Sequence, residues 1–193
     1  MAKNILILES SPRRKGNTSV LAGHAARAMQ EEGLSVDLVH LHGMKIEPCN
    51  HCDGCLRKAL PCILQDDMQT IYPKLIASDG LILASPIYWF NINAQLKTCM
   101  DRWYGLFQNH PRLFAGKPVG VILVYGDTDL YTSGAINAIH TLESAFRYLG
   151  AVPLGFVHGT TNNVGDAEKD AILMQKAWQI GKSMAESLRE ADS

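Results

Sequence analysis

The sequence predicts an α/β fold, a doubly wound parallel sheet of five strands with helices on both faces. Short apolar runs alternate with longer stretches in which apolar residues recur every three or four positions, and this alternation is typical of strand-helix units on a parallel sheet. The 193 residues are 47% hydrophobic and 19% charged, which is enough to bury the core of one domain. We therefore expect a single domain over residues 1–193, with a cysteine-rich loop at 46–65.

Five short apolar runs are predicted as the strands. They cover residues 5–8, 36–41, 80–84, 119–125 and 152–157. The last run contains Pro153 and Gly155. Proline cannot donate a ladder hydrogen bond and is therefore tolerated mainly on edge strands, so the fifth strand is expected at an edge of the sheet.

The helices are predicted from apolar stripes at helical spacing. These comprise Val20, Leu21, Ala25, Ala28 and Met29; Met68, Ile71, Tyr72, Leu75 and Ile76; residues 93–104; Ile139, Leu142, Phe146 and Leu149; and Leu173, Ala177, Ile180, Met184 and Leu188. Asp66 precedes the second stripe as an N-cap, and Gly33 and Gly150 follow the first and fourth. Strict alternation of five strands with five helices favours the flavodoxin-like strand order 2-1-3-4-5.

In an open sheet of this order, ligands bind at the carboxyl ends of the strands. The loops after the first, third and fourth strands are therefore the expected site. Other partners are disfavoured by charge, because 18 basic and 19 acidic residues give a net charge of −1. Neither nucleic acid nor a membrane surface is expected as a partner.

The sequence shows neither the pattern of a membrane-spanning helix nor that of an export signal. Every apolar run falls well short of the about 20 residues needed to cross a bilayer. The N-terminal residues Met1, Ala2, Lys3 and Asn4 enter a short apolar run without a small-residue cleavage site. We therefore expect a soluble, cytoplasmic protein.

The loop after the first strand has the composition of a phosphate site. Residues 10–19 contain hydroxyls, an amide and three cations, but neither GxGxxG nor the GxxxxGK[ST] of a P-loop. Ser11, Asn17 and Thr18 can donate hydrogen bonds to a phosphate monoester, and the N-terminus of the following helix attracts the dianion. Gly16 allows a close turn around it. The alternative is a solvated loop in which Asn17 or Thr18 only caps the helix.

The loop after the third strand has the composition of a site for a planar ring. Residues 84–91 place Pro86 ahead of the consecutive aromatic residues Tyr88, Trp89 and Phe90. A stiff loop with flat side chains can cover a ring while its backbone amides meet the ring edge. Core packing or an oligomer interface would equally account for Trp89 and Phe90.

Four of the five cysteines are close in sequence. Cys49, Cys52, Cys55 and Cys62 follow the pattern C-x2-C-x2-C-x6-C, and Cys99 is predicted to be a small buried hydrophobe. Such clustering favours metal, redox or catalytic chemistry over disulfides. The spacing fits a [4Fe–4S] cluster, whereas zinc motifs usually consist of two separated pairs. A packed cysteine loop or a redox-active thiol pair is the alternative.

Taken together, these motifs resemble the NADPH-dependent FMN reductase branch of the flavodoxin-like superfamily, which includes the iron-sulfur flavoproteins. The resemblance covers roughly residues 3–150. It is carried by Ser11-Pro12-Arg13-x-x-Gly16-Asn17-Thr18, the cysteine cluster, Asp66-Asp67-Met68, Ser85-Pro86-Ile87-Tyr88-Trp89 and Gln95-Leu96-Lys97-x-x-x-Asp101-Arg102. The gap before Cys62, with Pro61 just ahead of it, departs from the family pattern.

The resemblance implies bound FMN. Its phosphate would be held by Ser11, Arg13, Asn17, Thr18 and Ser19, its isoalloxazine ring would lie against Pro86, Ile87, Tyr88, Trp89 and Phe90, and Tyr125 and Gly126 would contact the far side of the flavin. No catalytic side chain is expected, because the flavin itself carries the hydride.

The resemblance also implies a reaction and partners. An NAD(P)H oxidoreductase of this branch passes electrons from the nicotinamide through FMN to a small-molecule acceptor such as a quinone, a nitro- or azo-aromatic, free flavin or a metal ion. The alternative function is an iron-sulfur electron carrier, in which the four clustered cysteines hold a [4Fe–4S] cluster that feeds FMN from ferredoxin. Members of the branch are similar in forming homodimers or homotetramers, with the helix of Lys97, Asp101 and Arg102 near the subunit contact.

Overall fold

The computed structural model describes residues 2–191 as a central sheet between two layers of helices. The strands are β1 Asn4–Glu9, β2 Ser35–His40, β3 Gly80–Tyr88, β4 Asn91–Ile92, β5 Pro118–Tyr125 and β6 Val152–Thr160. The helices are α1 Asn17–Glu31, α2 Gly54–Lys58, α3 Met68–Ala77, α4 Ala94–Asp101, α5 Trp103–Asn109, α6 Ala135–Leu149, α7 Asp166–Lys169 and α8 Ala171–Ala191. Within these residues, no helix combines the length and apolarity needed to span a membrane.

The five long strands are parallel and lie in the order β2-β1-β3-β5-β6. With β4 set aside, this is the predicted order 2-1-3-4-5, so the predicted fold is confirmed. The strand that was not predicted is β4, which has two residues and pairs antiparallel to β3, with Ile87 opposite Ile92. Strand β6 lies at an edge as expected.

Alternating side chains along the strands build two separate cores. Ile5 and Ile7 of β1 pack on the side of α1 and α8, whereas Leu6 and Leu8 pack on the side of α3, α4, α5 and α6. All four are fully buried. Because both faces of the sheet are covered, the central strands are continuously apolar. Polar side chains that could meet a ligand are therefore expected at the ends of these strands.

Strand β3 is longer than the sequence predicts. Its pairing with β5 continues past Ala84 to Pro86, and the hairpin with β4 extends it to Tyr88. Pairing with β1 ends at Ala84, so no strand on that side requires the N–H that Pro86 lacks. Much of the predicted ring-binding loop is therefore strand.

The predicted helix over residues 93–104 is divided at Arg102 into α4 and α5. Arg102 is the N-cap of α5, and its carbonyl also accepts a hydrogen bond from the Tyr72 hydroxyl at 3.1 Å. The Arg102 side chain lies in the interior, where the residue is 2% exposed. The N-cap of α3 is Asp67, so the prediction of Asp66 at this position is wrong by one residue, although Asp66 accepts a hydrogen bond from the Met68 N–H at 3.0 Å.

Candidate functional site

A cleft lies at the carboxyl ends of β1, β3, β5 and β6, where the strand order places a ligand site. It has two adjoining parts, of about 130 Å³ and about 240 Å³, which share Ile87, Tyr125 and Gly126. The first part is lined by Ser11, Arg13, Gly16, Asn17, Thr18, Pro86, Ile87, Tyr88, Val124, Tyr125, Gly126 and Thr161. The second is lined by Ile87, Trp89, Phe90, Tyr125, Gly126, Asp127, Thr132 and Ser133.

The first part of the cleft is closed by the loop between β1 and α1. The Gly16 N–H donates to the Arg13 carbonyl at 2.8 Å, and a Cβ on Gly16 would come within 2.9 Å of the same oxygen, so this turn requires glycine. Helix α1 begins at Asn17 and has no acidic residue in its first turn. Its unpaired N–H groups and positive helix end favour an anion in the cleft.

The Asn17 side chain is engaged within the protein. Its Nδ2 donates to the Asn163 carbonyl at 2.8 Å, and its Oδ1 accepts from the N–H groups of Gly165 and Ala167 at 3.2 and 3.1 Å. The amide therefore ties the loop after β6 to the start of α1. Because Nδ2 carries a second hydrogen, the Asn17 side chain can also donate to a ligand in the cleft that it lines.

The three predicted hydroxyl residues of this loop differ in position. Ser11 and Thr18 line the cleft, and both are buried. Ser19 does not line it, and its Oγ donates to the Arg13 carbonyl at 3.1 Å. Ser19 thus supports the loop from outside the cleft.

The second part of the cleft is bordered by the β3–β4 hairpin. Its turn residues Trp89 and Phe90 have φ values of 49° and 68°, a left-handed conformation that suits hairpin turns but is uncommon for bulky residues. The Asn137 amide donates to the Phe90 carbonyl at 3.4 Å, and a Cβ on Gly134 would come within 2.5 Å of the Phe90 Cβ. The hairpin is therefore held against the start of α6, with Trp89 itself 92% exposed.

A buried polar network connects the loops of the cleft. Asn93 Nδ2 donates to the Ser10 carbonyl at 2.7 Å, and the Asn93 N–H donates to Ser85 Oγ at 3.1 Å. The Asn93 side chain also caps α4 by accepting the Leu96 N–H. Because Ser10, Ser85 and Asn93 are all buried, the network fixes the ends of β1 and β3 relative to each other.

Tyr125 ends β5 where the two parts of the cleft meet. Its hydroxyl lies 3.1 Å from His158 Nδ1. Burial, with a smaller effect of Asp129, raises the pKa of Tyr125, and burial together with Lys176 lowers the pKa of His158. Both groups are therefore neutral near about pH 7, and they supply a hydrogen-bonding pair without charge beside the cleft.

Arg102 links the two ends of the cysteine segment, residues 46–65. This guanidinium donates to the Glu47 carbonyl at 2.7 Å and to both carboxylate oxygens of Asp66 at 2.6 and 3.2 Å. Burial acts to raise the pKa of Asp66, but the hydrogen bonds from Arg102 and from backbone N–H groups hold it below its ordinary value. Asp66 therefore stays ionised within this pair.

Helix α5 supports the middle of the cysteine segment. A Cβ on Gly105 would come within 2.3 Å of the Pro61 carbonyl oxygen and 2.5 Å of the Cys55 Cβ. Asn109 Nδ2 donates to the Leu60 carbonyl at 2.9 Å. Gly105 thus sets the short distance between α5 and the segment.

The four clustered cysteines are free thiols. Cys49 is exposed, Cys52, Cys55 and Cys62 are half-buried, and Cys99 is buried in the core as predicted. Burial raises the pKa of Cys55, and the neighbouring Cys62 and Cys52 act in the same direction. Over residues 2–191, no three histidine, cysteine or acidic side chains are arranged to hold a metal ion. The [4Fe–4S] cluster stays a prediction.

The loop after β6 is a part of the cleft wall that the sequence-based prediction omitted. Thr161 lines the first part of the cleft, and its N–H donates to the Tyr125 carbonyl at 2.7 Å. Only the loops after the first, third and fourth strands were expected there, although the fifth strand ends at the same edge. The polar run 160–163, directly after an apolar strand, is the signal that indicates this wall.

Fold and cleft together define a flavodoxin-like protein in which a cleft at a helix N-terminus joins an aromatic-bordered recess. The model of the NADPH-dependent FMN reductase family matches residues 3–163. The chain belongs to this family, and the match supports an NAD(P)H-dependent FMN oxidoreductase.

Individual relatives agree with this assignment. An iron-sulfur flavoprotein of Archaeoglobus fulgidus is 34% identical over 182 residues, which cover 92% of this chain and 76% of that protein. YwqN of Bacillus subtilis, whose name describes an NAD(P)H-dependent FMN-containing oxidoreductase, is 29% identical, with 92% of this chain and 96% of that one covered. The structure of an NAD(P)H:quinone oxidoreductase from Methanothermobacter marburgensis has a TM-score of 0.75 at 19% identity and covers 95% of this chain and 96% of that one. This last likeness shows the fold.

Proposed function

We propose that the chain binds FMN in the cleft at the strand ends and passes electrons from NAD(P)H to a small-molecule acceptor. The observation that carries the proposal is that the part of the cleft at the start of α1 is continuous with the aromatic-bordered recess through Ile87, Tyr125 and Gly126. FMN carries a phosphate at one end and a planar ring at the other, so it matches a cleft of this form. When bound, FMN supplies the oxidation–reduction chemistry that the side chains lack.

The phosphate would be held at the start of α1. The hydroxyls of Ser11 and Thr18 donate hydrogen bonds, Arg13 supplies a positive charge, and the first N–H groups of the helix complete the anion site. Asn17 contributes through its backbone and the second hydrogen of Nδ2, and it holds the loop after β6. Ser19 acts indirectly, through its hydrogen bond to Arg13.

The ring would lie along Pro86, Ile87 and Tyr88, with Tyr125 and Gly126 on its other side. Pro86 stiffens this end of β3, and the Asn93 network fixes its position relative to β1. A rigid frame lowers the entropy that must be lost when a ligand is ordered.

The acceptor would enter between the hairpin and the loop after β5. Trp89 and Tyr131 are 92% and 77% exposed and offer flat apolar faces, while Asp127, Thr132 and Ser133 form a polar rim. Such a recess suits a quinone, a nitro- or azo-aromatic or free flavin, and its acidic residue could also attract a metal ion. The nicotinamide and the acceptor would bind in this recess in turn.

Steady-state kinetics with NADPH and a quinone test this function. Successive binding to one recess predicts ping-pong behaviour, with parallel lines in double-reciprocal plots. Intersecting lines, which require both substrates to be bound together, would contradict the shared recess. Trp89→Ala should raise the KM of the acceptor, and Trp178→Ala on α8, away from the cleft, should leave it unchanged.

We also propose that the chain forms a homodimer or homotetramer. An apolar groove of about 310 Å³ lies between α4, α5 and α6, lined in part by Met100, Tyr104 and Phe107. Tyr148, which packs against Phe107, is 71% exposed. A second copy of the chain would cover these aromatic residues. Light scattering should give the mass of two or four chains, and a monomer would contradict the proposal.

A second candidate function is an iron-sulfur electron carrier with ferredoxin as its donor. It is favoured by the four closely spaced cysteines and by the name of the 34% identical relative. The cysteine segment would have to rearrange, since the described residues bring no three metal ligands together. Iron and acid-labile sulfide in anaerobically purified protein would support this function, and their absence after reconstitution would exclude it.

A further inference from the structure

We infer that Glu9 is a positioning residue for the phosphate-binding loop, and that it acts from behind the loop without touching the ligand. The inference rests on the proposed FMN site. Glu9 is the last residue of β1 and is completely buried. A buried carboxylate beside a site for a phosphate dianion is costly unless it is hydrogen-bonded, so its contacts indicate its role.

Both oxygens of the Glu9 carboxylate have partners. Oε1 accepts a hydrogen bond from the Ser11 N–H at 2.9 Å, and Oε2 lies 2.6 Å from His40 Nδ1. His40 is directly opposite Glu9 in the β1–β2 pairing. The imidazole side chain is 27% exposed, so His40 connects the buried carboxylate to solvent. Because an ionised carboxylate can only accept hydrogen bonds, His40 is the donor, through its Nδ1–H.

The hydrogen bond from Ser11 to Glu9 starts a chain that continues through the loop. Ser11 Oγ accepts the Arg13 N–H at 3.1 Å, and the Arg13 carbonyl accepts the Gly16 N–H at 2.8 Å. Ser11, Arg13 and Gly16 all line the cleft. Glu9 therefore fixes the shape of the loop before a ligand arrives, which reduces the ordering that binding requires.

This role depends on an acceptor of the right shape and does not depend on the negative charge. In Glu9→Gln, the amide oxygen can accept the Ser11 N–H while the amide nitrogen donates to an unprotonated His40 Nδ1. In Glu9→Leu, no acceptor is left, and the Ser11 N–H is buried without a partner. The two variants therefore separate positioning from charge.

The test compares the affinities for FMN and riboflavin, measured by quenching of flavin fluorescence. Riboflavin has the same ring and ribityl chain but no phosphate. We expect wild type to prefer FMN, Glu9→Gln to keep this preference within about threefold, and Glu9→Leu to lower it by about tenfold or more with riboflavin affinity unchanged. Phe146→Leu, a change in the core of α6, controls for a general loss of stability and should leave the preference intact.

Two results would overturn the inference: an unchanged preference in Glu9→Leu, or an equal loss in Glu9→Gln and Glu9→Leu. Should Glu9→Leu not fold, amide exchange in flavin-free wild type provides a second test. The Ser11 N–H should exchange at least about tenfold more slowly than the N–H of exposed Arg14, and equal rates would overturn the inference. Failure of the proposed function is distinguishable, because wild type would then show no preference for FMN over riboflavin.

Discussion

Arg102 and Asp66 form a two-pronged salt bridge inside the protein, with side chains that are only 1% and 8% exposed. The family resemblance implies that the helix of Arg102 lies near a subunit contact, and the structure places the Arg102 guanidinium itself in the interior. Because the same group donates to the Glu47 carbonyl, Arg102 joins the two ends of the cysteine segment. The segment therefore has a fixed base in the absence of any metal.

Arg102→Met should lower the free energy of unfolding by about 3–5 kcal/mol, because it leaves the Asp66 carboxylate buried and unpaired. Urea denaturation measures this loss. Lys97→Met on α4 is the matched control, since the salt bridge between Lys97 and Asp101 is exposed and should contribute no more than about 1 kcal/mol. If Arg102→Met lowered the free energy of unfolding no more than the control does, the buried salt bridge would contribute little to stability.

Gly105→Ala should displace the cysteine segment from α5, because the new methyl group would overlap the Pro61 carbonyl. The expected result is faster reaction of the half-buried thiols with a disulfide reagent, in a protein that keeps its helix content. Gly23→Ala is the control. Nothing lies within 4 Å of the added methyl group in the middle of α1, so this change should stabilise the protein by about 0.5–1 kcal/mol. Unaltered thiol reactivity in Gly105→Ala would refute the close contact.

Gly134→Ala should move the β3–β4 hairpin, because its methyl group would lie 2.5 Å from the Phe90 Cβ. We expect the KM of the acceptor to rise by about fivefold or more while the FMN affinity stays within about twofold. Gly116→Ala has a nearly identical φ, 74° against 72°, but no neighbour within 4 Å. It carries the same backbone strain without the contact, so equal kinetic effects of both changes would argue against the hairpin's role.

The buried Lys117 should leave a signature in the pH dependence of stability. Its Nζ donates to the Leu75 carbonyl and to Ser78 Oγ, and burial lowers its pKa from 10.5 to about 8. Between these two pH values the folded protein releases a proton that the unfolded chain retains, so Lys117 makes the free energy of unfolding rise with pH. Below about pH 8 it is charged in both states and adds no slope.

Lys117→Met removes this titration while the other groups titrate as before. The difference in unfolding free energy between wild type and variant should therefore be constant from about pH 6 to 8 and shift in favour of wild type from pH 8 to 10.5. Guanidinium denaturation with a reductant present gives both curves. A difference that does not change with pH would mean that Lys117 titrates normally in the folded state.

Local sequence patterns were sufficient to predict the five long strands. Strands such as β1 and β5 are buried on both faces, so they appear as continuous apolar runs, and the intervening helices carry apolar stripes. The composition of the loops likewise predicted a shared site for Ser11, Thr18 and Pro86, which line one cleft. These features depend on residues close together in the chain.

The missed features depend on partners that are distant in sequence. The Asn17 amide donates a hydrogen bond to a carbonyl 146 positions away, and the buried Arg102 guanidinium pairs with a carboxylate 36 positions away. Glu9 ends an apolar strand, and only the β1–β2 pairing shows that it meets His40. No local pattern encodes such pairs, because tertiary packing brings them together.

The most direct test of an FMN-dependent oxidoreductase built on this cleft is the anaerobic absorption spectrum of FMN-loaded protein during addition of NADPH. FMN should be retained through gel filtration, and its visible bands should bleach in proportion to the NADPH added, with one equivalent sufficient for one bound flavin. Protein that does not retain FMN, or that retains it with its bands unbleached by either NADPH or NADH, would contradict the proposed function.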